Sequence, residues 1–314
     1  MIWVGWRQQR TEAVIAAGIL AALALLLVPT GLQIASAYHH DGLSACLGQN
    51  PSQSCLGAID SFTSRFEQLD HMMAWMTLLP GLVGALLAAP FVLALENGSY
   101  RLDWTQSITR GRWIAGKLTL ALAAAVLVSL AYVALFTWWR APLVHVRGRM
   151  ENGVFDSEGI VVFGYTFFAL GLALAVGVVW RRAVAALVVA FLGYFAVRVF
   201  VDTWLRQRLT PPAGLTWPGD RPDPPSLSHA WVISEGQSDR LGHIAAGPVP
   251  VHPCGPAVGG LKSCLAQHSA NYTHAIYEPA SRFWSMQAVE FGLFAGVALV
   301  LIGFAAWWTH ARTA

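Results

Sequence analysis

Apolar positions in this chain gather into long runs separated by short polar segments. The runs at 13–37, 72–95, 118–139, 160–180, 183–201 and 285–308 are each close to, or longer than, the roughly 20 apolar residues an α-helix needs to cross about 30 Å of hydrocarbon. They predict six spanning helices and an all-α integral membrane protein. The first run follows WRQQR and invites comparison with a secretory leader, but it exceeds the roughly 7–15 apolar residues of such a leader. It also continues into LQIASAYHH without a convincing cleavage site, so it reads as a span. Before it, MIWVGWRQQRTE (1–12) sets Trp3 and Trp6 beside Arg7 and Arg10, a mixture that suits a short helix lying among lipid headgroups.

Hydrophobic residues make up 55% of the chain and charged residues 12%, against about 25% charged in an ordinary soluble domain; a water-soluble fold is excluded. The net charge of +3 says little about nucleic acid, and the placement of charge says more. With the amino terminus inside, nine basic residues fall in short cytoplasmic segments: Arg7 and Arg10, then Arg101, Arg110, Arg112 and Lys117, then Arg181 and Arg182, and last Arg312. Most of the others are diluted over longer segments, so the positive-inside rule predicts both termini in the cytoplasm. The same topology puts 38–71, RAPLVHVRGRMENGVFDSEG and 202–284 outside.

All four cysteines lie in those outside segments, Cys46 and Cys55 in the first, Cys254 and Cys264 in the last, where an oxidising compartment permits disulfides. Three pairings are open; Cys46–Cys55 with Cys254–Cys264 is favoured because each closes a short loop. SACLGQNPSQSCLG lacks the close Cys/His spacing of a zinc site, and no metal is expected. PPAGLTWPGDRPDPP is rich in Pro and Gly and predicts an extended surface path rather than helix or strand.

No GxxxxGK[ST] loop occurs, so the chain offers no backbone cradle for phosphates and is not expected to hydrolyse ATP by itself. HExxH and GxSxG are absent as well, no catalytic residue is assigned, and the ten histidines read as solvated loop residues. Three charges sit in or beside apolar runs. Arg198 and Asp202 are four apart, on one helix face, and Glu290 lies in the last run. Ionisable groups at membrane depth are costly and face a partner or a watery cavity. In one reading they snorkel or pair locally near the outer interface; in the other, Arg198 meets Glu290 across spans five and six and lines a conduit or gate.

ENGSYRLDWTQSITRGRWIAGK (96–117) is the one long charged stretch between two spans, with six ionisable groups in 22 residues. Leu102, Trp104, Ile108 and Trp113 among basic residues can offer an apolar ridge to a soluble partner while the charges stay at the membrane surface. A plain basic connector is the alternative. The stretch resembles the E-x-G-(S/T)-x-R-L-x-W-T-Q-S-(I/V)-T-R-x-R-W-x-x-x-K-L pattern of actinobacterial ABC-2-type transporter permeases. MIWVGWRQQR, FDSEGIVVFGYTFFALGLALAVGVVWRR and RFWSMQAVEFGLFAGVAL are similar to other parts of that family. The likeness covers most of the spans but not the outside loops, and Asn97 stands where histidine is frequent.

The resemblance implies a six-helix plasma-membrane permease that pairs with itself or a second permease and works with two separate ATPase subunits. Those subunits would bind ATP and Mg; this chain would hold no cofactor. In such permeases the helix between spans two and three is a coupling helix seated in a groove of the ATPase. Carried onto this sequence, Glu96 and Arg101 would orient that helix, and Leu102, Trp104 and Trp113 would fill the groove. Arg110, Arg112 and Lys117 would face acidic protein or lipid, and Gly98, Thr105, Gln106 and Ser107 belong to the same matched motif. Part of span five and its following segment often forms re-entrant helices in this family, which would make Arg198 and Asp202 residues of a partly shielded outer gate. The implied activity is export of a hydrophobic or amphipathic cargo such as a drug, antibiotic, peptide or lipid. A membrane-embedded enzyme with its site in the outside loops, and a sensor or immunity component of ABC architecture, are the competing readings; an ATPase gene beside this one separates the first from export.

Overall fold

The computed structural model describes residues 2–47, 52–67, 69, 75–105, 109–243 and 272–312. Among these, six helices are long and apolar enough to cross a membrane: Ala17–His40, Leu79–Glu96, Arg110–Arg147, Val161–Trp180, Ala183–Leu209 and Ala280–Arg312, spans one to six below. Their outer faces carry bare hydrocarbon: Leu25 is 77% exposed, Val184 75% and Leu299 72%. Each such side chain would cost on the order of 1.5–3 kcal/mol to leave in water and costs nothing in lipid. Helices suit that medium because every interior backbone amide finds its carbonyl within the same segment.

Several boundaries differ from the sequence expectation. The first helix runs unbroken from Ile2 to His40, so 2–12 continue into span one rather than forming the separate interfacial helix expected over 1–12. The third begins at Arg110 and ends at Arg147, taking in the last eight residues of the 96–117 stretch. Nothing in RGRWIAGKL stops a helix, and Trp113, Lys117, Ala121 and Ala125, four residues apart, already share its buried face. At about 1.5 Å per residue this helix outruns the hydrocarbon. Span two is broken into Leu79–Leu87 and Ala89–Glu96, where Pro90 cannot donate to the preceding turn. Span five passes from Ala183–Phe200 through a π-helical turn, Val201–Leu205, into Arg206–Leu209. The re-entrant helices implied by the resemblance do not form there, because the chain goes straight on into a strand.

Two compact units result. The first, Met1–Val146, Asn152–Thr203 and Gln287–Ala314, holds most of the spans. Spans two, four and five approach closely through glycines: Gly81 lies against the Tyr194 ring, Gly84 against the Thr166 carbonyl and Gly177 against Val92. Small residues let backbones meet in a membrane, where packing rather than water drives association. Spans one and three are joined at Thr30, whose hydroxyl donates to Leu26 O at 2.8 Å and accepts from Trp139 Nε1 at 2.9 Å.

The second unit, Arg147–Glu151 and Trp204–Met286, contains a three-stranded antiparallel sheet of β1 (Ala213–Pro218), β2 (Trp231–Ser238) and β3 (Tyr272–Glu278), in the order β1–β3–β2. The spanning part is all-α, as expected; this second unit is not. Within PPAGLTWPGDRPDPP, residues 213–218 do form a strand, since Pro211 and Pro212 precede β1, Pro218 ends it, and β1 is an edge strand where a missing amide is tolerated. Trp217, Ala275 and Tyr277 are buried. The buried Glu278 accepts from Thr210 Oγ1 at 2.8 Å and pairs with Arg282 Nη1 at 3.0 Å. Gly148, at φ 87°, sits against His229 where no side chain fits.

Cys46 and Cys55 form a disulfide joining the helices Leu43–Cys46 and Gln53–Arg65. Cys254 and Cys264 lie outside the described residues. Cys55→Ser is expected to lower stability by about 2–4 kcal/mol in the chain-entropy picture, read as a drop in thermal midpoint. Unreduced peptide mapping should recover the 46–55 link, and a 46–254 link would contradict it.

Candidate functional site

The segment between spans two and three starts from a helix end that needs partners. Span two closes at Glu96 with Asn97 as its cap. Gly98 then turns the chain at φ 68°, a left-handed conformation that glycine adopts at little cost, and a short helix follows over Tyr100–Thr105. On it Arg101 is exposed; Arg101 Nε donates to Tyr100 Oη at 3.4 Å, which pushes the guanidinium further up from its already high ordinary value. Trp104 is half-buried, with its ring edge-on to Tyr100 at 4.7 Å and to Trp113 at 6.2 Å, and the Arg110 guanidinium lies 4.7 Å over it. A cation over an indole is worth roughly 0.5–1 kcal/mol at an exposed site. Leu102 and Thr105 belong to this helix; Gln106, Ser107 and Ile108 lie outside the described residues.

The expected ridge is therefore divided. Trp113 is 6% exposed and packs on Phe91 at 5.4 Å, so it belongs to the bundle core and does not offer itself to a partner. Lys117, 8% exposed, is likewise turned inward, one helical turn further on. Arg110 and Arg112 remain exposed. Glu96 reaches elsewhere: its Oε2 accepts from the amide of Ala183, the first residue of the span-five helix, at 2.8 Å.

A second cluster lies among spans four, five and six of the first unit. Arg198, 6% exposed, places Nη2 at 2.6 Å from Asp156 Oδ2 and Nη1 at 3.4 Å from Glu290 Oε1. Its guanidinium carbon is 4.2 Å from the Tyr165 ring centre. The Tyr165 hydroxyl lies 2.5 Å from Glu290 Oε1 and 3.2 Å from Asp156 Oδ1. Gln287 fixes the entry to span four, accepting from Val161 N at 2.9 Å and donating to Phe155 O at 2.7 Å. Arg198 thus meets Glu290 across spans five and six and is joined there by Asp156. Asp202, the neighbour expected on the same face, lies in the π-helical turn. Neither Asp156 nor Tyr165 is assigned from the sequence; FDSEG just ahead of an apolar run is the signal for Asp156, and Tyr165 lies within the run that follows.

An open apolar recess of about 380 Å³ is lined by Ile19, Ala22, Leu23 and Leu26 of span one and Trp75, Met76 and Leu79 at the start of span two. It holds no charged group. Among the described residues no group of three His, Cys, Asp or Glu side chains is placed to hold a metal ion.

No curated protein and no solved structure matches the chain. A family described as ABC-2 membrane transporter related matches residues 17–206, which takes in spans one to four and nearly all of span five. The six apolar helices, the charged helix hung between spans two and three, and this match over more than half of the length agree: the chain is a multi-pass membrane protein that belongs to the ABC-2 membrane transporter related family.

Proposed function

We propose that the chain is the permease subunit of an ABC exporter, acting as a dimer with two ATPase subunits in the plasma membrane. The observation that carries this reading is the short helix Tyr100–Thr105, set between two spans with Arg101, Arg110 and Arg112 exposed around it. Three exposed guanidinium groups, Arg101 on this helix and Arg110 and Arg112 at the start of the next, fit acidic groups on a soluble partner. ATP binding would draw the two ATPase subunits together, and each would push its helix, moving spans two and three. The recess of about 380 Å³ suits the apolar part of an amphipathic cargo arriving from the bilayer, and the Arg198 cluster would hold the far end of span five closed until that push arrives.

This reading requires the Tyr100–Thr105 helix in the cytoplasm and the sheet outside. In whole cells, Arg240→Cys should react with a membrane-impermeant maleimide and Arg182→Cys should not; labelling at 182 alone would invert the topology. Purification of the tagged chain from membranes should bring an ATPase with it, and a chain that purifies alone under gentle detergent counts against the reading.

A further inference from the structure

Span five begins without a cap of its own. The chain reverses after Trp180 through Arg181, held at φ 52° with its amide bonded to Gly177 O at 2.8 Å. Arg182, the residue at the N-cap, makes no side-chain cap bond. The first amides of a helix have no partner within it, and an N-cap side chain usually answers one of them. Here the answer comes from another helix. Glu96, the last helical residue of span two, accepts from Ala183 N at 2.8 Å, and its negative charge also suits the positive end of the helix dipole.

Two residues after Glu96 comes Gly98, the turn into the short charged helix. The chain itself ties that helix to spans two and three; Glu96 ties its root to span five. Span five is a suitable rod, with no proline from Ala183 to Phe200. From Ala183 to Arg198 it extends about 22 Å at 1.5 Å per residue. At that far end Arg198 is gripped by Asp156 and Glu290, and Tyr194 donates to Thr77 O at 3.0 Å.

We propose that Glu96 is a positioning residue for coupling: it carries displacement of the Tyr100–Thr105 helix into span five, and so to the Arg198 cluster at the other end. Two sites joined by a rigid element need a demonstrated response at both. The inference rests on the coupling reading above and is separable from it. The bland alternative is that Glu96 only caps a helix, in which case any cap will serve.

The test uses the full-length complex in membranes and reads the maleimide labelling rate of Thr203→Cys, an exposed position just beyond Arg198, with and without ATP, over the same protein lacking that cysteine. The rate should change on ATP addition in the otherwise unaltered complex. Glu96→Ala should abolish the change, and Glu96→Gln, which keeps an acceptor, should retain part of it. Adding Arg182→Ser to Glu96→Ala supplies a local cap: thermal stability should return and the ATP response should not. A full ATP response in Glu96→Ala, or its restoration by Arg182→Ser, overturns the inference. No ATP response in the otherwise unaltered complex would overturn the coupling reading and this inference with it.

Discussion

Replacing Arg198 with alanine is expected to cost about 3–5 kcal/mol, the usual penalty for leaving a buried charge without its partner. Arg198 lies between Asp156 Oδ2 at 2.6 Å and Glu290 Oε1 at 3.4 Å, with Asp156 and Glu290 4% and 1% exposed. Its loss leaves two carboxylates sharing the Tyr165 hydroxyl. Against a typical total stability of about 5–15 kcal/mol, that loss should appear as poor membrane yield and a lower thermal midpoint. Neutralising the acids at the same time, in Arg198→Met with Asp156→Asn and Glu290→Gln, should recover much of the yield, because a buried ion pair contributes little net stability against a neutral replacement. If the triple variant is worse than the single one, and the losses add, the three groups do not act as one cluster.

Trp104→Ala and Arg101→Ala are expected to weaken coupling by different routes, and the contrast between them is informative. An aromatic anchor in an interface is worth about 2 kcal/mol or more, roughly a 30-fold loss of affinity. Trp104 also packs within its own chain, against Tyr100 and Trp113 and beneath Arg110, so its removal should lower both ATPase binding and thermal stability. Arg101 is exposed and should affect ATPase binding alone. Co-purification and cargo-stimulated ATP hydrolysis, measured beside the thermal midpoint of the permease, give both quantities. Unaltered binding and stimulation in both variants would reduce the segment to a basic connector.

The spans were legible because hydrocarbon imposes a simple demand, some 20 apolar residues at a time, that no tertiary contact alters. Their ends were not. Charges at Arg110, Arg112 and Lys117 looked like a break from the membrane, yet a helix continues through them, and the burial of Trp113 and Lys117 follows from that continuation. The sheet was hidden because β1 and β3 are distant in sequence and pair only through the fold, while the prolines that frame β1 read locally as breakers. In the Arg198 cluster, Glu290 stood out as a charge inside an apolar run. Asp156 did not, since it precedes its span and is buried only by the packing of three helices. The Glu96–Ala183 bond was invisible for the same reason: a helix's unmet amide is a property of its end, and the sequence does not say who meets it.

If the Tyr100–Thr105 helix touches an ATPase, a photo-crosslinking amino acid placed at position 101 will reach it. Leu299, 72% exposed and midway along span six, provides a control position away from that helix. In native membranes, illumination at 101 should capture an ATP-binding subunit, with a yield that changes when ATP is added, and illumination at 299 should capture none. Capture from 299 but not 101, or no ATP-binding protein from either, would rule out docking by this helix.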